Sequence, residues 1–183
     1  MKELGTQYLE TERLILRKLN ENDADAIFNN WASDPEVTKY VTWPPHKSVE
    51  TTKKLLNMWL DEYNDEKTYR FGIVLKEENK LIGMIDVVRY IEDCPEIGCV
   101  LSRDYWSKGI MTEACNKMID YLFEEGFPIV HIKAYKENIG SNKVIQKCGL
   151  TYTHEEPLPE DPKILVNCYR ITKEERHEWD KMS

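Results

Sequence analysis

No apolar stretch in this sequence approaches the ~20 residues that a helix needs to span a bilayer. Nor does the amino-terminal segment pair a basic start with an apolar run, so a soluble, cytoplasmic protein without membrane contact is expected. The five cysteines (Cys94, Cys99, Cys115, Cys148, Cys168) are odd in number, form no C-x-x-C pair and mostly have apolar neighbours. That pattern argues against a disulfide framework and a zinc site, and for reduced thiols packed as small hydrophobes. Positive charge is in short supply: 25 Lys and Arg stand against 33 Asp and Glu, for a net charge of −8. Such a balance repels a polyphosphate backbone, which argues against direct nucleic-acid binding and favours cationic partners. The Walker A, G-x-G-x-x-G, H-E-x-x-H and EF-hand patterns are all missing. There is no internal repeat, low-complexity tract or composition shift, and 183 residues that are 41% hydrophobic fit one domain spanning 1–183.

What is present reads as an α/β chain. Arg13-Leu14-Ile15-Leu16-Arg17 predicts an opening strand, after which Asn22 or Asp23 caps a helix to about Trp31, ended by Asp34-Pro35. The prolines of Trp43-Pro44-Pro45 forbid a regular helix, and Ser48 caps a second helix through Leu56, Trp59 and Tyr63. Tyr69 to Glu77 and Leu81 to Ile91 read as a hairpin around Glu78-Asn79-Lys80, followed by a strand from Glu96 to Leu101. Ile110, Met111, Ala114, Cys115, Met118, Ile119, Leu122 and Phe123 recur at helical spacing. Ile129 to Tyr135 is a further strand. Leu150 to His154 and Ile164 to Thr172 are read as two late strands joined by an acidic, proline-broken linker over 155–162. These strands fit one mixed sheet with helices on both faces.

The most informative stretch runs from Pro95 to Ala114, where an apolar strand passes through a tight turn at Gly109 into a helix. The first N–H groups of a helix lack intrahelical partners and sit at the positive end of its dipole, so Ser107, Lys108, Gly109, Ile110, Met111 and Thr112 can seat an anion. A turn of this kind also serves packing alone. Downstream come Asn138-x-x-Ser141 and Lys147-Cys148-Gly149-Leu150. With Glu96-Ile97-Gly98, Tyr105-Trp106-Ser107-Lys108-Gly109-Ile110-Met111-Thr112-Glu113-Ala114, Glu12-Arg13-Leu14-Ile15-Leu16-Arg17 and Asp34-Pro35-Glu36-Val37, the order resembles the GNAT superfamily of acetyl-CoA-dependent N-acetyltransferases over nearly the whole chain. It looks most like the branch containing the RimJ and RimL ribosomal-protein acetyltransferases.

The resemblance implies a mostly antiparallel sheet of about seven strands, acetyl-CoA bound between two splayed central strands, and direct attack of a primary amine on the thioester. The acceptor it implies is a protein amino terminus; a polyamine or aminoglycoside-like amine, or acyl-CoA binding without turnover, are the alternatives. Dimers are common in the family, which leaves a homodimer open. Trp106 stands where the family's phosphate motif often has a basic residue, and Met111 where a small one is common. The seat is made by backbone amides, so both departures are tolerable. Lys108 adds charge there or is simply exposed.

Acetyl transfer needs a deprotonated amine, an oxyanion donor and a proton for the leaving thiolate. The resemblance assigns the oxyanion to a backbone N–H near Val100 or Leu101. The family's usual acid, a tyrosine four residues before Gly149, is replaced by Ile145, leaving Ser141, a water, or an unassisted thiolate. Asn138 either bonds the pantetheine amides or caps the next helix, and Ser141 either faces the cofactor sulfur or starts that helix. Glu96 is a base, a charge anchor for the amine, or a solubilising strand-edge residue. An α-amine near pKa ~8 needs less base than a lysine near ~10.4, so weak base machinery favours an amino terminus. Trp43 and His46 either wall the substrate mouth or pack; His131 reads as structural, and Glu113 complements the helix dipole. Cys99 allows a covalent acetyl-cysteine route, against the family norm of direct transfer.

Overall fold

The computed structural model describes residues 4–182. Eight strands form one sheet in the order β1-β2-β3-β4-β5-β6-β8-β7: β1 (Leu9–Glu10), β2 (Leu14–Arg17), β3 (Arg70–Leu75), β4 (Lys80–Ile91), β5 (Cys94–Leu101), β6 (Ile129–Tyr135), β7 (Thr151–Leu158) and β8 (Asp161–Thr172). The helices are α1 (Ala24–Ile27), α2 (Pro35–Thr38), α3 (Val49–Glu62), α4 (Ile110–Glu124), α5 (Ile139–Lys147) and α6 (Lys173–Met182). None in the described residues is long and apolar enough to cross a membrane.

Strand alternation sorts side chains onto two cores. On one face Phe71, Ile73, Ile85, Ile97 and Leu101 meet Ala114, Met118 and Leu122 of α4 and Ile145 of α5. On the other, Val74, Leu81 and Met84 meet Ile27, Trp31 and Leu56 from the α1–α3 insert. Val74 and Ile73 are adjacent and bury on opposite sides, as the period of two requires.

The sheet agrees with the expected architecture of about seven strands; the eighth is β1, a two-residue edge paired as Leu9↔Leu16 and Glu10↔Ile15, too short to carry a pattern. Two expectations need correction. The segment over 155–162 is not a linker: β7 continues to Leu158 and pairs with β8 through Pro157↔Leu165. A proline fits there because β7 is an edge strand, where a missing N–H deprives no partner. The first insert helix is capped by Asn20, whose Oδ1 accepts from Asn22 N at 2.9 Å while Asp23 bonds back to Asn20 N. It starts as a 3-10 turn and ends in a π-turn over Phe28–Ala32.

Every strand pair is antiparallel except β5 and β6. These two are joined through α4, the crossover that parallel neighbours require. Their ladder holds only Glu96↔His131 and Ile97↔Ile132. Beyond Ile97 each strand stays with its outer neighbour, β5 with β4 through Leu101↔Gly83 and β6 with β8 through Tyr135↔Val166. A wedge therefore opens in mid-sheet.

α6 closes the fold behind that wedge. Arg176, 5% exposed, bonds Asp120 of α4 at 2.9 Å and the Cys148 carbonyl at 3.1 Å. Gly149 ends α5 at φ +85°, and a Cβ there would lie 1.9 Å from the Trp179 ring. Gly149→Ala is expected to cost about 2 kcal/mol or more through left-handed strain and ring displacement, lowering the melting temperature by roughly 4–8 °C in a thermal scan; an unchanged melt would contradict the α6 docking.

Candidate acetyl-transfer site

The turn into α4 is built for an anion. Ser107 (φ +61°) and Gly109 (φ +76°) are both left-handed around Lys108, an arrangement that converges successive N–H groups into a concavity. The strained Ser107 escaped sequence reading, since serine does not announce a positive φ. α3 and α5 carry side-chain caps from Ser48 and Asn138, whereas Gly109 gives α4 none. The first N–H groups of α4 thus face outward from a dipole end.

The loop is held from β2. Arg13 Nη1 donates to the Lys108 carbonyl at 2.9 Å, and Arg13 Nε pairs with Glu113 at 2.7 Å. Glu113 also accepts from Arg13 N and Thr11 Oγ1. Hydrogen bonds from Thr11 and Arg13 hold its carboxyl below the ordinary glutamate value despite burial, the largest single influence. Glu113 is therefore a brace between edge and loop as well as a dipole partner. The Lys108 ammonium lies 5.6 Å from the Tyr105 ring centroid.

Peptide alternation sets which groups look into the wedge. Ser102 N donates to Ile82 O, so Val100 N–H shares that direction toward β4, and the N–H groups of Cys99 and Leu101 turn the other way. Of Val100 and Leu101, it is Leu101 that can offer a donor to the gap. Its carbonyl is already met by Trp106 Nε1 at 2.8 Å. Across the wedge the Tyr135 carbonyl accepts from Asn142 Nδ2 at 3.0 Å.

Asn138 caps α5, its Oδ1 accepting from Ser141 N at 3.1 Å, so the cap and a cofactor contact divide the amide: only Nδ2 remains to donate. The Ser141 hydroxyl has no protein partner among the described residues. Ile145, 2% exposed, belongs to the core and offers no proton donor.

Glu96 departs most from expectation. It is not a solubilising edge residue but is 4% exposed, with Oε1 3.5 Å from Lys133 Nζ and Oε2 3.5 Å from Arg89 Nε. Its Oε1 accepts no hydrogen bond. Lys133 also binds Glu156 at 2.7 Å. Lys133 and Glu156, with His131, His154, Cys168 and Arg170, line an open depression of about 600 Å³ on the sheet face opposite α4. His154, Glu156 and Cys168 offer ligand atoms within 4.8 Å of one another, but the Lys133 ammonium already sits on that glutamate. Burial, then the Glu156 charge, pushes the Cys168 thiol up to about 11, away from the thiolate a metal would need.

Trp43 and His46 are in the loop before α3. His46 Nδ1 meets Thr52 Oγ1 at 2.7 Å, its ring centroid is 5.4 Å from that of Trp43, and burial lowers its pKa. Both are thus tied into packing. The same loop reaches the wedge through the Val41 carbonyl, which accepts from Tyr135 OH at 3.2 Å. Cys99 packs on the α4 side, and all five cysteines are free thiols.

Sequence reading missed Asp86. It faces Gly98 across the β4–β5 ladder, and its Oδ1 lies 3.5 Å from where a Gly98 Cβ would stand. Arg70 Nε approaches its Oδ2 at 3.4 Å while Arg70 Nη1 holds Glu62 at 2.7 Å. Burial outweighs Arg70 and pushes the Asp86 carboxyl up to about 6. A lone acid in the apolar run from Leu81 to Val88 was the available signal.

A carboxyl raised from 3.8 to about 6 on folding binds its proton more tightly in the native state, so its contribution is greatest below pH ~4 and declines until pH ~6. Asp86→Asn is expected to remove that decline. The stability of the variant relative to wild type should rise by roughly 2 kcal/mol between pH ~4 and pH ~7 in urea titrations; a constant difference would refute the assigned environment.

Residues 13–151 match the family described as the acetyltransferase (GNAT) domain. The chain is 36% identical over 155 residues to the uncharacterized N-acetyltransferase p20 of Bacillus licheniformis, covering 80% of this chain and 86% of the relative. A GNAT-family acetyltransferase structure from Bacillus anthracis superposes with a TM-score of 0.79 at 26% identity, covering 92% of this chain and 99% of the other. RimL, the ribosomal L7/L12 alpha-N-protein acetyltransferase solved with coenzyme A, shares the fold with a TM-score of 0.79 at 19% identity, covering 91% and 98%. An uncapped helix start behind a two-residue left-handed turn, a wedge between parallel strands, and a family match over most of the sequence converge on one conclusion: the chain belongs to the GNAT acetyltransferases, enzymes that draw their acetyl group from acetyl-CoA.

Proposed function

We propose that the acceptor is the α-amine of a protein amino terminus, as in the RimJ/RimL branch. The observation that carries this reading is the depression beside the wedge: about 600 Å³, open, uncovered by any helix, and lined by Lys133, His154, Glu156 and Arg170. An open bed of mixed charge suits the alternating donors and acceptors of an extended peptide better than it suits a small polycation, which would meet two cations there. RimL, which shares the fold, is named for an amino-terminal substrate.

In this reading the N–H groups from Ser107 to Thr112 hold the diphosphate of the cofactor, with Lys108 adding charge. Leu101 N–H and Asn138 Nδ2 serve the pantetheine arm and the thioester oxygen. The Ser141 hydroxyl, with no protein partner, is the proton source for the departing thiol in place of the absent tyrosine. Glu96 and Glu156, bridged by Lys133, supply the negative charge for the acceptor ammonium, while Trp43 and His46 shape the wall above Tyr135. Bound acetyl-CoA supplies an activated thioester carbonyl; everything else is positioning by these groups.

Thiol release from acetyl-CoA should be stimulated by peptides with a free α-amine far more than by spermidine or an aminoglycoside. Reaction of the small amines alone, or cofactor binding without acceptor-dependent release, would overturn the reading. Arg13→Met should weaken coenzyme A binding about tenfold in calorimetry, the effect of about 1.4 kcal/mol, because the turn loses its tether to β2; unchanged affinity would detach Arg13 from the cofactor site.

A further inference from the structure

We propose that Asp86 is the general base of acetyl transfer, accepting a proton from the acceptor ammonium over Gly98, at the point where β5 and β6 part. Gly98 is the first β5 residue beyond the last paired position, Ile97↔Ile132. It stands opposite Asp86, on the sheet face that also carries Glu96 and the open depression. Where a Gly98 side chain would stand, Val88 Cγ1 comes within 2.5 Å and Asp86 Oδ1 within 3.5 Å, so the glycine lets the Asp86 carboxylate and Val88 approach the β5 backbone beside the wedge.

The two carboxylates on this face are not equivalent. Glu96 is 4% exposed and lies between Lys133 and Arg89, each at 3.5 Å. Asp86 keeps 17% side-chain exposure and faces a single guanidinium, Arg70. That cation is shared with Glu62 at the shorter distance of 2.7 Å and stacks 5.2 Å from the Trp59 ring centroid. The groups facing Asp86 are thus Arg70 from β3, and Glu62 and the Tyr63 hydroxyl from the end of α3. A base works best when it titrates near the working pH, and burial brings this carboxyl up to about 6. Glu96 is left the role of anchoring charge.

The step balances without a further reactant. One N–H bond of the acceptor ammonium breaks and its proton passes to Asp86, directly or through one water. The lone pair released on nitrogen forms the C–N bond as the C–S bond breaks, and sulfur leaves with the C–S bonding pair and takes up a proton from the Ser141 hydroxyl, which the second proton leaving the nitrogen restores. Asp86 returns its own proton to solvent.

The test compares wild type with Asp86→Asn and Asp86→Glu from pH 5 to 9, using a peptide with a free α-amine and, separately, spermidine. The wild-type kcat/KM should show an acid limb with a midpoint near 6. Asp86→Asn should lower kcat/KM about 100-fold at pH 7 and erase that limb, Asp86→Glu should restore part of the rate, and coenzyme A affinity by calorimetry should change less than about twofold. Carbon-13 NMR of aspartate-labelled wild type, which needs no turnover, should show the Asp86 carboxyl titrating near 6. An Asp86→Asn variant that keeps half the wild-type kcat/KM with its acid limb intact, or a carboxyl titrating at an ordinary aspartate value, overturns the proposal. Activity with spermidine alone would sink the peptide reading while the spermidine profile still decides the role of Asp86.

Discussion

The structure depends on a pairing that stops. β5 and β6 share two registered residue pairs and then separate, each kept straight by an antiparallel neighbour on its far side. A parting of this kind leaves peptide groups in the middle of a sheet without a facing strand, where buried polar groups need partners. Trp106 and Asn142 answer part of that need, at the Leu101 and Tyr135 carbonyls. The N–H groups of Cys99 and Leu101 are left looking into the gap, a geometry that can pair with an extended ligand carrying its own amides. The rest of the site is arranged around this gap: the anion turn at one end, the charged depression on the far face, and the insert loop leaning over Tyr135.

The sequence made the skeleton legible where the physics is local. Apolar, β-prone runs bounded by turn residues identified β3 to β6, the helical spacing from Ile110 to Phe123 identified α4, and Gly109 marked the turn because few residues accept its backbone angles. Reading failed where a distant neighbour decides. Pro157 suggested a linker because nothing local says that β7 is an edge, where proline is harmless. Glu96 was read with solvent as one option because its cations, Lys133 and Arg89, come from separate strands. Asn138 was posed as a choice between cap and ligand contact, whereas the two ends of one amide allow both. Asp86 was invisible as a functional group because its neighbours Arg70 and Gly98 meet it only across the sheet.

Charge on the acceptor face is more organised than a net of −8 suggests. Lys133 bridges Glu96 and Glu156, and Arg70 bridges Glu62 and Asp86. Both bridges place one cation between two carboxylates, and Arg89 adds a second cation at Glu96, so the Glu96 cluster is balanced while the Asp86 cluster is negative by one. Each bridging cation lies nearer the remote acid, Glu156 or Glu62 at 2.7 Å, than the acid beside the gap, Glu96 at 3.5 Å or Asp86 at 3.4 Å.

The tether between Arg13 and the Lys108 carbonyl joins the amino-terminal edge of the sheet to a turn 95 positions later. Free energies of linked events are reciprocal: whatever tightens the turn must also stiffen the edge strand that holds it. The shape of the turn and the docking of the second strand are then one cooperative unit, so a change that loosens the amino-terminal edge also frees the loop 95 positions away.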